Sequence, residues 1–365
     1  MRHRQQHDRR TMPLAAILGL LMVSALNAQD VATTAETTAS TAWPDPATTP
    51  AQMLSLEQIE RSLLLDATDS RDRAVVVGDR GHILVSESRS EWRQVPSPTR
   101  SMLTAVTAVD NKLWAVGHDQ VVIYSSDGGL TWTLQHHDTQ AEGPLLDVLF
   151  LDEERGYAIG AYGQFLSTTD SGAHWTVELI SDRVTAGTRV DQADNEETDP
   201  DSGLASSDMG SDEGDPHLNA IVRNPLGLLI VGETGSAYRS TDDGLSWVRE
   251  SLPYEGSMFG AVALDNGSIL AFGLRGNAFA TGDLGRSWRQ LQTGTEASLL
   301  GGAAVSGSRA VLVGASGTVL LLPAGSDQMR AYTFTDGGVM SGVLPLSETD
   351  FLTVGENGVA TYQPN

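Results

Sequence analysis

The sequence contains no cysteine. The chain therefore has no disulfide, no thiolate metal site, no cysteine nucleophile and no lipoprotein anchor. Lysine is almost absent as well, because Lys112 is the single one. This use of arginine in place of lysine is typical of a GC-rich genome and indicates nothing about function.

Positive charge is scarce, with 23 basic residues against 47 acidic ones and a formal net charge of −24. A surface of this sign repels nucleic-acid phosphates and anionic lipid headgroups. We therefore expect no nucleic-acid partner, and contact with a membrane that is peripheral at most.

Catalytic and cofactor motifs are lacking too. The eight histidines have no zinc spacing, and the sequence has no phosphate loop, nucleophile elbow or dinucleotide fingerprint. The sequence predicts no catalytic residue, no metal site and no cofactor. His82 and His174 are interpreted as structural residues with satisfied hydrogen bonds.

The amino-terminal segment has the order of a secretory signal peptide over residues 1–28. Arginines precede the apolar run Leu14–Val23, and the small residues Ala25 and Ala28 follow it. The apolar run is too short for a typical membrane span, although an uncleaved anchor is the alternative. We expect export to the periplasm of a Gram-negative bacterium, and an Ala/Thr/Pro-rich tether over residues 29–58.

A glycine-opened turn recurs seven times between apolar runs. The opening glycines are Gly78, Gly117, Gly160, Gly232, Gly273, Gly314 and Gly355, spaced 39, 43, 72, 41, 41 and 41 residues apart. Each unit of about 41 residues has room for four short strands. The repeat predicts an all-β fold, a seven-bladed β-propeller of four-stranded blades over residues 59–365.

The last copy stops at Asn365, after its third strand. A propeller commonly removes such an open edge by pairing an amino-terminal strand with the last blade. The segment from Thr41 to Met53 is the candidate for this closing strand.

Four copies continue into a second signature, in which Asp and Gly precede Ser, Thr or His and then Trp. Its members are Asp127 and Trp132, Asp170 and Trp175, Asp242 and Trp247, and Asp283 and Trp288. An Asp in such a turn accepts hydrogen bonds from its own backbone, and the Trp packs between sheets. We interpret these residues as structural, since four similar carboxylates on four blades cannot share one active site.

The Val-Gly-x-x-Gly turn followed by Ser-x-Asp-x-Gly-x-x-Trp resembles the BNR/Asp-box repeats. With seven copies, the opening Arg61-Ser62-Leu63-Leu64-Leu65 and an export signal, the chain resembles the photosystem II stability/assembly-factor family and its non-photosynthetic bacterial relatives over about residues 60–365. The resemblance implies a non-enzymatic, monomeric scaffold for a membrane-protein or envelope client, such as a transport system.

Sialidases also carry Asp boxes, so a carbohydrate-active glycoside hydrolase is the enzymatic alternative. Sialidases have six blades, three arginines for a substrate carboxylate, and a tyrosine nucleophile with a glutamate. This chain has seven repeats and no recognisable arginine set.

The residues after each opening glycine and those entering each first strand are expected on one face of the propeller, here called the ring face. The Asp boxes are expected on the opposite face. Candidate partner-binding residues on the ring face are Arg61, Arg80, Arg100, His118, Tyr162, Glu233, Arg275 and Glu356. Arg61, Arg80 and Arg100 either bind a carboxylate of an acidic client or neutralise neighbouring acids.

The long interval between Gly160 and Gly232 holds an acidic insertion over about residues 181–217, with eleven Asp or Glu residues. Its composition predicts disorder. Calcium binding to its acidic clusters, or a role as a lid or bait for a basic partner, are the alternatives.

Overall fold

The computed structural model describes residues 43–59, 61–185, 214–335 and 338–364. The predicted signal peptide, the tether before residue 43 and residues 186–213 of the acidic insertion lie outside the described residues. The possible calcium site on that insertion therefore stays a prediction.

Twenty-seven strands, two one-turn α-helices and six short 3-10 turns form the regular structure of the described residues. Helix α1 (Leu56–Ile59) leads into the first blade, which consists of β1 (Leu64–Asp69), β2 (Ala74–Gly78), β3 (Ile83–Ser86) and β4 (Arg93–Val95). The second blade consists of β5 (Leu103–Val109), β6 (Lys112–Gly117), β7 (Val122–Ser125) and β8 (Thr133–His136). The third consists of β9 (Leu145–Phe150), β10 (Gly156–Gly160), β11 (Gln164–Thr168) and β12 (Thr176–Leu179), followed by helix α2 (Ile180–Arg183).

The later blades repeat this arrangement. The fourth consists of β13 (Leu218–Asn224), β14 (Gly227–Gly232), β15 (Ser236–Ser240) and β16 (Val248–Ser251), and the fifth of β17 (Met258–Ala263), β18 (Ile269–Gly273), β19 (Ala278–Thr281) and β20 (Arg289–Gln290). The sixth consists of β21 (Leu299–Val305), β22 (Arg309–Gly314), β23 (Thr318–Leu322) and β24 (Arg330–Thr333), and the seventh of β25 (Met340–Pro345), β26 (Phe351–Gly355) and β27 (Gly358–Tyr362).

Each blade is an antiparallel sheet whose strands lie in sequence order, and there are seven such sheets. The second strand of a blade is a short aliphatic run buried on both sides, as in β2, where all five residues are buried. The fourth strand is mostly exposed, as in β12. The predicted seven-bladed β-propeller is confirmed.

The core consists of seven layers, one between each pair of neighbouring blades. In one layer Leu270 and Phe272 of the fifth blade pack against Leu312 and Leu320 of the sixth. Burying an aliphatic or aromatic side chain contributes about 1.5 to 3 kcal/mol, so each interface adds stability independently of a common centre. This layering explains why a regular repeat with an apolar run in each strand specifies the fold.

Closure of the ring differs from the expectation. Within the described residues the seventh blade has three strands. Residues 43–53 form no strand, so the prediction of a closing strand there is wrong. Pro50 and Pro46 limit backbone pairing there. The ring closes instead by packing of Leu344 and Leu352 against Leu64 and Val76 of the first blade.

Candidate functional site

The seven glycine-opened turns lie at the same end of the blades as the entries to the first strands. In every blade, the residue after the opening glycine donates its backbone N–H to a carbonyl. The acceptor is the residue immediately before the first strand of the same blade. These bonds run from Asp79 to Leu63, His118 to Met102, Ala161 to Pro144, Glu233 to His217, Leu274 to Ser257, Ala315 to Ser298 and Glu356 to Val339, at 2.9 to 3.1 Å. The structure therefore brings these two sets of segments together on the ring face.

Six of these turns hold a non-glycine residue in the left-handed region, with φ between 52° and 57°. The residues are Arg80, Asp119, Tyr162, Thr234, Arg275 and Ser316. A left-handed non-glycine residue often marks a functional site. Here the same conformation recurs in six blades, so it belongs to the turn rather than to a particular activity.

The four turns predicted to be Asp boxes, which keep that label below, lie between third and fourth strands, at the other end of the blades. The Asp127 carboxylate accepts hydrogen bonds from the backbone N–H groups of Leu130 and Thr131 and from the hydroxyls of Thr131 and Ser125, at 2.6 to 3.0 Å. Burial opposes ionisation of Asp127, but these hydrogen bonds outweigh it and hold its pKa below the usual value. Its bonding capacity is directed at its own turn.

The other three boxes repeat this pattern. Hydrogen bonds from His174 lower the pKa of Asp170 to about 2. Asp242 and Asp283 have lowered pKa values because hydrogen bonds from their own turns outweigh the effect of burial. All four carboxylates thus stabilise the turn that carries them.

The four box tryptophans fall into two kinds. Trp132 and Trp247 are buried, and each donates its indole N–H to the carbonyl of the turn glycine, Gly129 or Gly244. Trp175 and Trp288 are partly exposed, and their indole nitrogens are buried without a hydrogen-bond partner. The same motif therefore buries and hydrogen-bonds its tryptophan in some blades but not in others.

Arg80 and Arg100 lie together at a pocket on the first two blades, here called the arginine pocket. Its volume is about 470 Å³, and its lining consists of Pro46, Pro50, Gln52, Leu54, Arg80, His82 and Arg100. Arg100 donates to the carbonyl of Pro44 at 2.7 Å. Arg80 lies 3.4 Å from the Asp79 carboxylate but remains 79% exposed.

The segment before α1 forms one wall of the arginine pocket. It is held by backbone hydrogen bonds from Ala51 to the Ser97 carbonyl and from Arg100 to the Pro46 carbonyl, at 3.2 and 3.0 Å. Leu54 also donates to the Gln94 side chain at 2.7 Å. The sequence predicts a tether or a closing strand for this segment and does not reveal its role in the pocket.

His82 is the buried polar residue of the arginine pocket, with 3% of its surface exposed. Its Nδ1 is buried and has no hydrogen-bond partner, so the interpretation of His82 as a satisfied residue is wrong. Burial lowers its pKa, with Asp79 and Arg80 acting in opposite directions. His82 therefore contributes to the pocket wall a buried ring whose Nδ1 is unpaired.

The remaining predicted residues are spread around the ring face. Arg61 lies 3.7 Å from Glu57 and does not line the arginine pocket. The Tyr162 ring packs edge-on against the His217 ring with centroids 4.6 Å apart, and the His217 Nδ1 lies 3.5 Å from the Glu233 carboxylate. His118, Arg275 and Glu356 sit in turns of three further blades.

A second cavity of about 550 Å³ is lined by the first strands of all seven blades and is here called the channel. Two carboxylates, Asp66 and Asp147, face it among apolar and small residues. Burial raises the pKa of Asp66 to about 6 and that of Asp147 to about 7, with the Asp66 charge also raising the latter. Sequence analysis did not identify either residue.

No group of three or more His, Asp or Glu side chains that could hold a metal occurs in the described part of the chain. No helix between residues 43 and 364, outside the undescribed gaps, is long and apolar enough to cross a membrane.

Residues 84–182 match the model of a protein family described as photosynthesis system II assembly factor YCF48. The matched segment starts in the first blade and contains the second and third. Over these residues the propeller is similar to that assembly-factor family. The resemblance stated from the sequence is confirmed.

Solved structures with this fold cover most of the chain. A structure of YCF48 bound to a D1 peptide is 15% identical, covers 87% of this chain and 94% of its own, and has a TM-score of 0.60. BamB from Moraxella catarrhalis is 14% identical, covers 83% and 86%, and has a TM-score of 0.54. At these identities the likeness shows the fold alone.

An enzyme occurs among the similar structures. Virginiamycin B lyase from Staphylococcus aureus is 10% identical, covers 86% of this chain and 98% of its own, and has a TM-score of 0.66. A propeller of this kind therefore hosts catalysis as well as binding. No curated protein matches the sequence.

Proposed function

We propose that the chain is a non-enzymatic scaffold that binds an acidic segment of a membrane-protein or envelope partner at the ring face. The observation that carries this proposal is the arginine pocket, where the side chains of Arg80 and Arg100 line one cavity. Guanidinium groups bind carboxylates through charge-assisted hydrogen bonds. We also propose that the chain acts after export, in the periplasm.

Charge on this side of the ring supports an acidic ligand. Arg80 is mostly exposed despite its neighbour Asp79, and Arg100 bonds to a backbone carbonyl. Arg61 lies near Glu57, so neutralisation of that acid explains its presence. Arg100 bonds a backbone carbonyl, so the same explanation does not apply to it. Arg80 shares its charge with Asp79, whereas Arg100 keeps a charge that a partner carboxylate can use.

The comparisons support the scaffold class. The matched family is an assembly factor, and one similar structure holds a D1 peptide. Seven blades and the absence of a recognisable sialidase arginine set disfavour glycoside hydrolysis. We therefore propose binding rather than turnover.

Binding of a fluorescent oligoglutamate peptide, with oligoglutamine as the uncharged control, tests the proposed site. In the double variant Arg80→Glu, Arg100→Glu, we expect the Kd of oligoglutamate to rise at least about tenfold, since two attractive charges become repulsive. Added salt should weaken binding by the wild type, because part of each guanidinium faces solvent.

Arg286→Glu is the matched control, because Arg286 is exposed on an Asp-box turn at the opposite end of the blades. This variant changes the net charge in the same direction and should leave the Kd within about twofold, as expected for a distant exposed charge. Equal loss of affinity in both kinds of variant would show a general charge effect. It would contradict the assignment of the arginine pocket.

A further inference from the structure

Asp66 and Asp147 occupy equivalent positions in the first and third blades. Each follows a β-bulge in the first strand of its blade. In the first blade the register with the second strand shifts between Leu64 and Asp66. In the third blade Leu145 and Asp147 pair with the second strand and Leu146 is skipped. The bulge turns the next side chain toward the neighbouring blade. The equivalent residues in the other blades are alanine or glycine, so the fold does not require a carboxylate there.

Each carboxylate ties its own blade to the next one. One oxygen of Asp66 accepts the N–H of Val106 in the second blade at 2.8 Å, and the other accepts the N–H of Ala67 at 2.8 Å. Asp147 repeats both bonds, to Ile221 of the fourth blade and to Val148, at 2.8 Å each. These carboxylates therefore bridge two blade interfaces.

Neutral side chains make comparable ties at other interfaces. Thr104 donates to the Leu145 carbonyl at 2.7 Å, Asn219 to the Met258 carbonyl at 2.8 Å, and Ser341 to the Leu64 carbonyl at 2.9 Å. An interblade tie thus needs no charge. The two carboxylates differ from these three residues in that they can exchange a proton.

No cation offsets the two carboxylates within the described lining of the channel, where they are the only titratable side chains. The strands packed against β1, which are β2, β5, β25 and β26, contain no titratable residue. The elements packed against β9 contain Lys112, His118, Asp119, Tyr157 and Arg223.

Most of those groups have other partners. Lys112 pairs with Glu153 at 2.8 Å, Tyr157 donates to the Asp243 carbonyl at 2.5 Å, and Arg223 donates to the Leu151 carbonyl at 3.1 Å. Asp119 accepts the Ser101 hydroxyl at 2.5 Å, and His118 lies in its turn on the ring face. Two like charges in one cavity without a counter-charge disfavour ionisation.

We propose that Asp66 and Asp147 form a proton-sensitive pair of interblade ties, which stabilise the ring more at mildly acidic than at alkaline pH. Burial raises the pKa of both carboxyls in the folded chain and outweighs the backbone hydrogen bonds from Val106 and Ile221, which lower it. The folded state therefore holds more protons than the unfolded one between about pH 4 and pH 7. Their contribution to stability is full below about pH 4 and is lost as the pH rises through the folded-state values of about 6 and 7.

Amide signals of Val106 and Ile221 in the wild-type chain from residue 29 onward provide the direct test, because each N–H bonds one carboxylate. We expect both NMR shifts to titrate with midpoints between about pH 5.5 and pH 7.5, as for carboxyls with raised pKa values. Midpoints near pH 4, the ordinary aspartate range, would overturn the proposal.

Stability of the double variant Asp66→Asn, Asp147→Asn gives the second test, since an amide oxygen can still accept the neighbouring N–H. Between about pH 5 and pH 8, the wild-type unfolding constant should rise at least about tenfold more than that of the double variant. Asp72→Asn, at an exposed aspartate, should behave as the wild type. Equal pH dependence in the wild type and the double variant would contradict the proposal, and if the double variant does not fold, the amide titration decides.

Discussion

Replacing Gly117 with alanine is expected to lower the free energy of unfolding by about 3 kcal/mol, at the upper end of the usual cost of overpacking. Gly117 is extended, with φ at 179°, a conformation open to any residue. Space is the constraint, because an added Cβ would overlap the Met102 carbonyl oxygen and approach the Leu103 Cα. Both are backbone atoms of the first strand's entry, and the 2.9 Å bond from His118 to Met102 would be lost with their displacement.

Urea unfolding followed by circular dichroism measures this loss, and Gly282→Ala is the matched control. Gly282 has no atom within 4 Å of an added Cβ, so the control should change stability by less than about 0.5 kcal/mol. Similar stabilities for the two variants would show that the opening glycines are not fixed by close approach of the first strand.

Trp247→Ala is expected to cost about 3 to 5 kcal/mol, the usual range for truncating a buried aromatic side chain. Trp247 is fully buried and packs edge-on against Phe165 of the third blade, with ring centroids 5.8 Å apart. Its indole N–H also bonds the Gly244 carbonyl at 3.1 Å. The variant removes both an interblade contact and a bond within the turn.

Trp288→Ala serves as the comparison for the same motif position. Trp288 is partly exposed and its indole nitrogen has no partner, so its truncation should cost about 1 to 2 kcal/mol, a common value for a point mutation. The midpoint of urea unfolding measures both. An equal loss in the two variants would contradict the distinction between the two kinds of box tryptophan.

Repetition made the fold predictable from the sequence. A turn glycine such as Gly117 recurs because the same close approach recurs in every blade, and residues such as Asp242 recur because each turn needs the same bonds. Local rules therefore specified the number of blades. Only the closing strand was mispredicted, because residues 43–53 have no second copy in the sequence with which they could be compared.

The candidate site was predictable only in part, because some of its residues lie outside the repeat. Arg80 and Arg100 were placed together because both belong to repeated positions. The pocket wall at Pro46 and Leu54 lies outside the repeat, and the buried, unpaired nitrogen of His82 depends on tertiary packing. Asp66 was missed because a bulge decides which way it points, and an apolar strand sequence does not reveal that bulge.

The central claim, that the partner binds the ring face at the arginine pocket, is tested most directly by site-specific photocrosslinking in cells that produce the protein. Gln52, at the pocket rim, and Arg286, on the Asp-box face, would each be replaced by a photoreactive amino acid in otherwise unchanged chains. The proposal predicts a discrete crosslinked partner from position 52 that disappears when Arg80→Glu and Arg100→Glu are added, and none from position 286. A partner captured at position 286 but not at position 52 would contradict it.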